Sequence, residues 1–178
     1  MRSSPEVLRM YEFSIPIFRR YLQNLSGLLR KGAAYAEERH MPPMVLLEMR
    51  LAPEMFPLGE QVRAVSYHAL AAAANLIGDR PPEFERGYNS LPELLTEIDT
   101  TLSRLDALEV SQFEGAATRV ITLDLRRGRV RLDGRRYLAH FALPNFFFHL
   151  TTAYDILRHC GVAVGKADFL GDLGGVTS

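Results

Sequence analysis

Four stretches of this chain repeat apolar residues at three- and four-residue steps, and any fold must bury all four stripes together. Phe18, Tyr21, Leu22, Leu25, Leu28 and Leu29 mark the first, on a helix predicted over Ile15 to Arg39. Ser14 is its expected N-cap, and Phe13 and Phe18 stand at the two positions of a hydrophobic staple. Val62, Val65, Ala69, Ala72, Ala73 and Leu76 mark the second, opened by Pro57 and closed by Gly78. Its run Ala71 to Ala74 keeps it slim, so a neighbouring helix can approach closely. Ser90-Leu91-Pro92-Glu93 reads as a capping box that opens the third, with Leu91, Leu94, Leu95, Ile98, Leu102, Leu105 and Leu108 as its stripe. Leu143, Phe146, Leu150, Ala153 and Leu157 mark the fourth, with Pro144 in its first turn and Gly161 at its end. Between His40 and Phe56, Pro42, Pro43 and Pro53 allow a connection with at most a short helix.

Between the third and fourth helices the period changes to two. Ile121, Leu123 and Leu125 alternate with Thr122 and Asp124, and Val130 and Leu132 alternate with Arg129 and Arg131. This predicts a β-hairpin over about 119–133 turning at Arg127-Gly128. Pairing Leu125 with Val130 then sets Leu123 opposite Leu132 and Asp124 opposite Arg131. A short helical piece, Arg135 to Phe141, follows. The fold class is therefore all-α: a four-helix bundle with one small hairpin. Residues 1–9 read as a poorly ordered extension, 10–171 as one domain, and 172–178 as a Gly-rich flexible tail.

Charge excludes some functions. Lys+Arg and Asp+Glu both number 21, so no net field draws the chain to nucleic acid or an anionic membrane. Six arginines (Arg126, Arg127, Arg129, Arg131, Arg135 and Arg136) do cluster at the hairpin. Only Tyr137 is interleaved with them, and a solvated face is the better reading than a nucleic-acid surface. No apolar run reaches the ~20 residues of a membrane span, and the first residues lack a signal-peptide pattern. A single cysteine, Cys160, fits a reducing compartment, and a cytoplasmic location is expected. At the end of a helix its thiol meets the negative end of the dipole, which disfavours a thiolate nucleophile. Glu54 and Glu60, either side of the Met55-Phe56-Pro57 run, are default surface carboxylates within reach of a site mouth.

What chemistry remains centres on two histidines. His149 and His68 each flank the core stripe of their helix, placed to meet in the bundle interior, where such folds build metal sites. Neutral imidazoles suit zinc or nickel. Gln61, Asn145 and Phe146 are the expected lining of a pocket around the pair. Beside His149 the run Phe146-Phe147-Phe148 points in three directions about 100° apart, so one buried face cannot hold all three. Phe148 needs cover from the hairpin, the C-terminal tail or, as expected here, a second subunit.

Several runs carry a family resemblance: "MYEFSIPIFRRYLQNLSGLL", "RLAPEMFPLGEQV", "ITLDL" and "FALPNFFFHLTTAYDILRHCGVAVGKADFLG". Over about Met10 to Gly171 the chain resembles an uncharacterised bacterial family of the DinB/YfiT-like superfamily. The resemblance implies a four-helix bundle, usually dimeric. It also implies a divalent metal held by one histidine on the second helix and two on the fourth, and for some relatives thiol-dependent transferase or isomerase chemistry. His68 matches the second-helix ligand and His149 the more C-terminal ligand of the fourth. The other ligand would fall three or four residues earlier, where Phe146 and Asn145 stand. The expectation is a degenerate metal site around His68 and His149 and a small-molecule ligand. The alternative is a non-catalytic dimeric binding or stress-response module whose histidines are structural.

Overall fold

Prolines and hydroxyl side chains set where the helices begin. In the computed structural model, which describes residues 4–172, the Ser4 hydroxyl accepts the Val7 N–H at 3.4 Å and starts α1, Pro5–Glu12. Then come α2, Ile15–Glu38; α3, Pro43–Leu47; α4, Leu58–Ile77; and α5, Leu91–Asp106. A 3-10 turn at Val110–Phe113 leads to β1, Val120–Leu125, paired with β2, Gly128–Asp133. α6, Gly134–Tyr137, passes through a π-helical turn, Leu138–Ala142, into α7, Leu143–His159, and α8 is Lys166–Leu170.

The bundle is α2, α4, α5 and α7. α2 and α4 each pack against both α5 and α7, and α4 with α7 make the most extensive pair. The run of alanines permits that close approach. The predicted stripes meet in one core, where Phe18, Leu22, Val65, Leu94, Ile98, Phe146 and Leu150 are fully buried. Each large side chain there contributes roughly 1.5–3 kcal/mol. Gly78, at φ 88°, closes α4, and Ser90 accepts the Glu93 N–H at 3.2 Å to open α5. The return arm of that box reaches the Asn89 N–H rather than that of Ser90. α8 lies on α2: Asn24 donates to the Phe169 carbonyl at 2.9 Å, and Lys31 pairs with Asp168 at 2.6 Å.

Five local expectations change. Residues 5–9, expected to lie in an unordered extension, belong to α1, while 173–178 of the expected tail lie outside the described residues. Because α1 ends just before α2, the Ser14 hydroxyl donates to the Met10 carbonyl at 2.6 Å and makes no N-cap bond. Phe13 is 60% exposed, so the staple with Phe18 does not form a buried contact. The hairpin register is two residues away from the expected one: Leu123 faces Val130, Ile121 faces Leu132, and Asp124 faces Arg129. The turn explains it. Two arginines, Arg126 and Arg127, occupy the loop with negative φ, and Gly128 (φ 118°) takes the positive angle just after them. A shift of two preserves which face each side chain occupies, so the alternation survives. Finally, the short helical piece and the fourth helix are one continuous path. Pro144 has no N–H for the ladder, and the π turn ahead of it absorbs the missing bond.

Candidate functional site

His68 and His149 meet between α4 and α7, with ring centres 5.1 Å apart and planes 15° apart. Seven residues separate Gln61 from His68, two helical turns, so both lie on the face of α4 that α7 covers. His149 touches both. Its Nδ1 is 2.7 Å from Gln61 Oε1, while Gln61 Nε2 donates to the Phe56 carbonyl at 3.0 Å. A carbonyl can only accept, so the amide nitrogen must face Phe56 and the amide oxygen must face His149. Nδ1 of His149 then carries the proton, and Nε2 keeps its lone pair.

Burial is the main cause that lowers both imidazoles from 6.5 to about 4, and the neighbouring His149 lowers His68 further. At pH 7 both are neutral, the form that ligates metal. With Zn–N near 2.0–2.1 Å and the ring centre about 1.1 Å beyond the nitrogen, two imidazoles on a tetrahedral ion stand roughly 5 Å apart. The ring centres stand at that distance, but the planes are stacked only 15° apart, so both lone pairs reach one ion only after one of the rings turns. Among the described residues no group of three or more His, Cys, Asp or Glu side chains gathers around a possible ion. The donor set therefore fits a loosely held ion and not a tightly caged one.

A strap formed by residues 79–90 closes over the pair. Phe84 stacks on Phe56 at 6.1 Å, and Phe56 stacks on His149 at 6.1 Å, so four near-parallel rings run from Phe84 to His68. The far end of the strap is pinned. The Gly87 N–H donates to Glu60 at 2.9 Å, and the Tyr88 hydroxyl lies 2.8 Å from the Glu48 carboxylate. Glu60, expected at a solvated surface, is buried in that role. Tyr88 rests directly over Gly59, where any Cβ would strike its ring.

The other sequence candidates make contacts of their own. Phe146 is buried in the core against Phe18, ring centres 4.9 Å apart. Asn145 turns back along its own helix, its Nδ2 donating to the Phe141 carbonyl at 2.6 Å. His140 is exposed. Burial pushes the Cys160 thiol up, consistent with an inert thiol. Arg129 pairs with Asp124 at 2.7 Å, and Arg135 with Glu6. The phenylalanine run divides three ways. Phe146 enters the core, Phe147 is half-buried edge-on to Tyr21, and Phe148 stays 55% exposed with its ring edge-on to His149. Phe56 and Phe84 were not singled out from the sequence, because neither belongs to a periodic stripe.

A bundle of four helices carrying one hairpin defines the class, a DinB-like helical bundle. Among solved structures the chain is similar to a DinB family member protein from Shewanella denitrificans, 34% identical, with 97% of each chain covered and a TM-score of 0.89. The chain belongs to the family described as a domain of unknown function (DUF1993), which matches residues 10–170. No curated protein matches it. No helix among the described residues is long and apolar enough to cross a membrane.

Proposed function

We propose that this chain is a DinB-like protein that binds a small molecule beside a two-histidine centre, His68 and His149, able to hold a divalent zinc or nickel ion loosely. The observation that supports it most is the pair's 5.1 Å spacing together with the fixed tautomer of His149. Gln61 acts as the outer partner that ligating histidines ordinarily have, orienting the ring and leaving Nε2 to the ion. A bound ion would supply Lewis acidity or an acidified water. This chain's own residues supply the rest: two neutral donors, and an aromatic strap that keeps bulk water from one side. Thiol transfer or isomerisation of a bound small molecule is the kind of reaction such a centre serves.

The row of four near-parallel rings favours a second reading, in which the imidazoles only fill an aromatic stack and the protein is a non-catalytic binding module. Metal content separates the two. Untagged protein after dialysis should hold well under one zinc or nickel per chain, yet metal-free protein titrated with either ion should take up one per chain. His68→Ala and His149→Ala should each abolish that uptake. Wild-type protein that takes up no ion would favour the aromatic stack, and uptake undiminished in both variants would place the ion elsewhere.

The exposed Phe148, next to His149, supports a homodimer whose interface lies beside the site.

A further inference from the structure

Next to the histidine pair, a cleft of about 290 Å³ opens between α4, the hairpin and the α6–α7 path, with His68 in one wall. That volume is at the small end for ligand sites. Leu123, Pro81 and Phe141 give it apolar sides, and no lysine or arginine lines it. Its one carboxylate, Asp124, is already paired with Arg129 at 2.7 Å across the hairpin. An anionic ligand would find no counter-charge there.

The polar groups of the cleft are specific about what they offer. Asn75 Nδ2 donates one hydrogen to the Ala71 carbonyl at 2.9 Å and the other to the Tyr137 hydroxyl oxygen at 3.0 Å. The Ala71 carbonyl can only accept, which fixes the amide orientation. Both Asn75 donors are thus consumed, and its Oδ1 remains as an acceptor. Tyr137 is 2% exposed, and its hydroxyl, already accepting from Asn75, keeps its own proton with no acceptor among the described residues. One acceptor and one donor therefore stand side by side on the wall, held by bonds to each other and to the α4 backbone. A buried hydroxyl proton without an acceptor is costly unless a ligand or water takes it.

We propose that this cleft binds a small neutral molecule through a carboxamide or lactam group. The ligand's carbonyl accepts from the Tyr137 hydroxyl, its N–H donates to Asn75 Oδ1, and its apolar body lies against Leu123 and Phe141. This deepens the reading above: it rests on the histidine pair for what the bound molecule faces, and not for how the molecule is held. A primary amide or lactam presents its acceptor and its donor on separate, neighbouring atoms, whereas a hydroxyl must serve both partners from one oxygen. A carboxylate offers two acceptors, and would leave Asn75 Oδ1 facing like charge.

The test uses benzamide, benzoate and N,N-dimethylbenzamide on the full chain with chelator present, followed by protein NMR titration. Benzamide should bind and shift the side-chain amide signals of Asn75. Benzoate, and the dimethyl compound that lacks an N–H, should bind about tenfold more weakly or not at all. Tyr137→Phe, checked for folding by circular dichroism, should weaken benzamide by a similar factor. Equal binding of all three probes, or benzamide shifts confined to another face, would overturn the proposal. Because chelator is present throughout, a failed metal titration leaves this result readable, and a failed benzamide titration leaves the metal reading standing.

Discussion

At the scale of single residues, the tautomer of His149 is set by a carbonyl that touches neither histidine. Phe56 holds the Gln61 amide nitrogen, so Gln61 presents its oxygen to Nδ1 and leaves Nε2 free. Gln61→Leu keeps the shape and removes the acceptor. It should lower zinc affinity about 10–100-fold in calorimetry while leaving the helical circular dichroism unchanged. Protonation gives a second test. Folding lowers both histidines from 6.5 to about 4, chiefly by burial, so the unfolded chain takes up protons first as pH falls. Stability from the neutral pair is complete above about pH 6.5 and is lost as pH drops toward 4. The urea midpoint should fall across that window, and replacing both histidines with leucine should flatten the fall. The residues themselves were visible in the sequence as stripe-flanking histidines. Their hydrogen-bonding order was not, because it depends on how α4 and α7 are rotated against each other, which periodicity does not encode.

Among the elements, the four helices were readable because each carries its own period and its own stop signal. The hairpin shows where that reading ends. Alternation determines which side chains share a face but not which pairs are opposite, and a two-residue shift leaves every face unchanged. The deciding feature was the turn. Arg126 and Arg127 resist positive φ, so Gly128 takes it and Asp124 meets Arg129 instead of Arg131. A double-mutant cycle on Asp124 and Arg129 should show a small coupling that salt removes, and one on Asp124 and Arg131 should show none. The junction of hairpin and α6 is tighter. A Cβ at Gly134 would overlap the Ala116 carbonyl oxygen, a backbone atom with little room to yield. Gly134→Ala should therefore cost about 1–3 kcal/mol in urea unfolding, the range for overpacking a filled site. A neutral outcome would mean that the loop at Ala116 moves freely. The π turn was illegible for a related reason: Pro144 signals a break in the ladder but not whether the helix restarts or bulges.

For the whole molecule, the consequence of three adjacent phenylalanines is an apolar ring left at the surface beside the candidate site. Phe147 is covered by Tyr21, itself backed by Phe169 of α8, but Phe148 is not covered by the described residues of its own chain. If a twin subunit covers it, Phe148→Lys should convert dimer to monomer in light scattering with the helical spectrum retained, since it removes roughly 1.5–3 kcal/mol of burial per side. A wild type that is monomeric at the outset would dispose of the dimer, and with it any idea that the site is shared. The sequence indicated that one of the three rings lacks an internal partner, but not which element covers the second.

The proposed function requires that His68 and His149 form one neutral, oriented pair able to share an ion. Long-range proton–nitrogen NMR of the imidazoles reads tautomer, protonation and metal binding in one experiment. His149 should appear as the Nδ1–H tautomer, both rings should stay neutral to below about pH 5, and added zinc should move both sets of nitrogens together. An Nε2–H tautomer for His149, or zinc shifts at only one of the two rings, would contradict it.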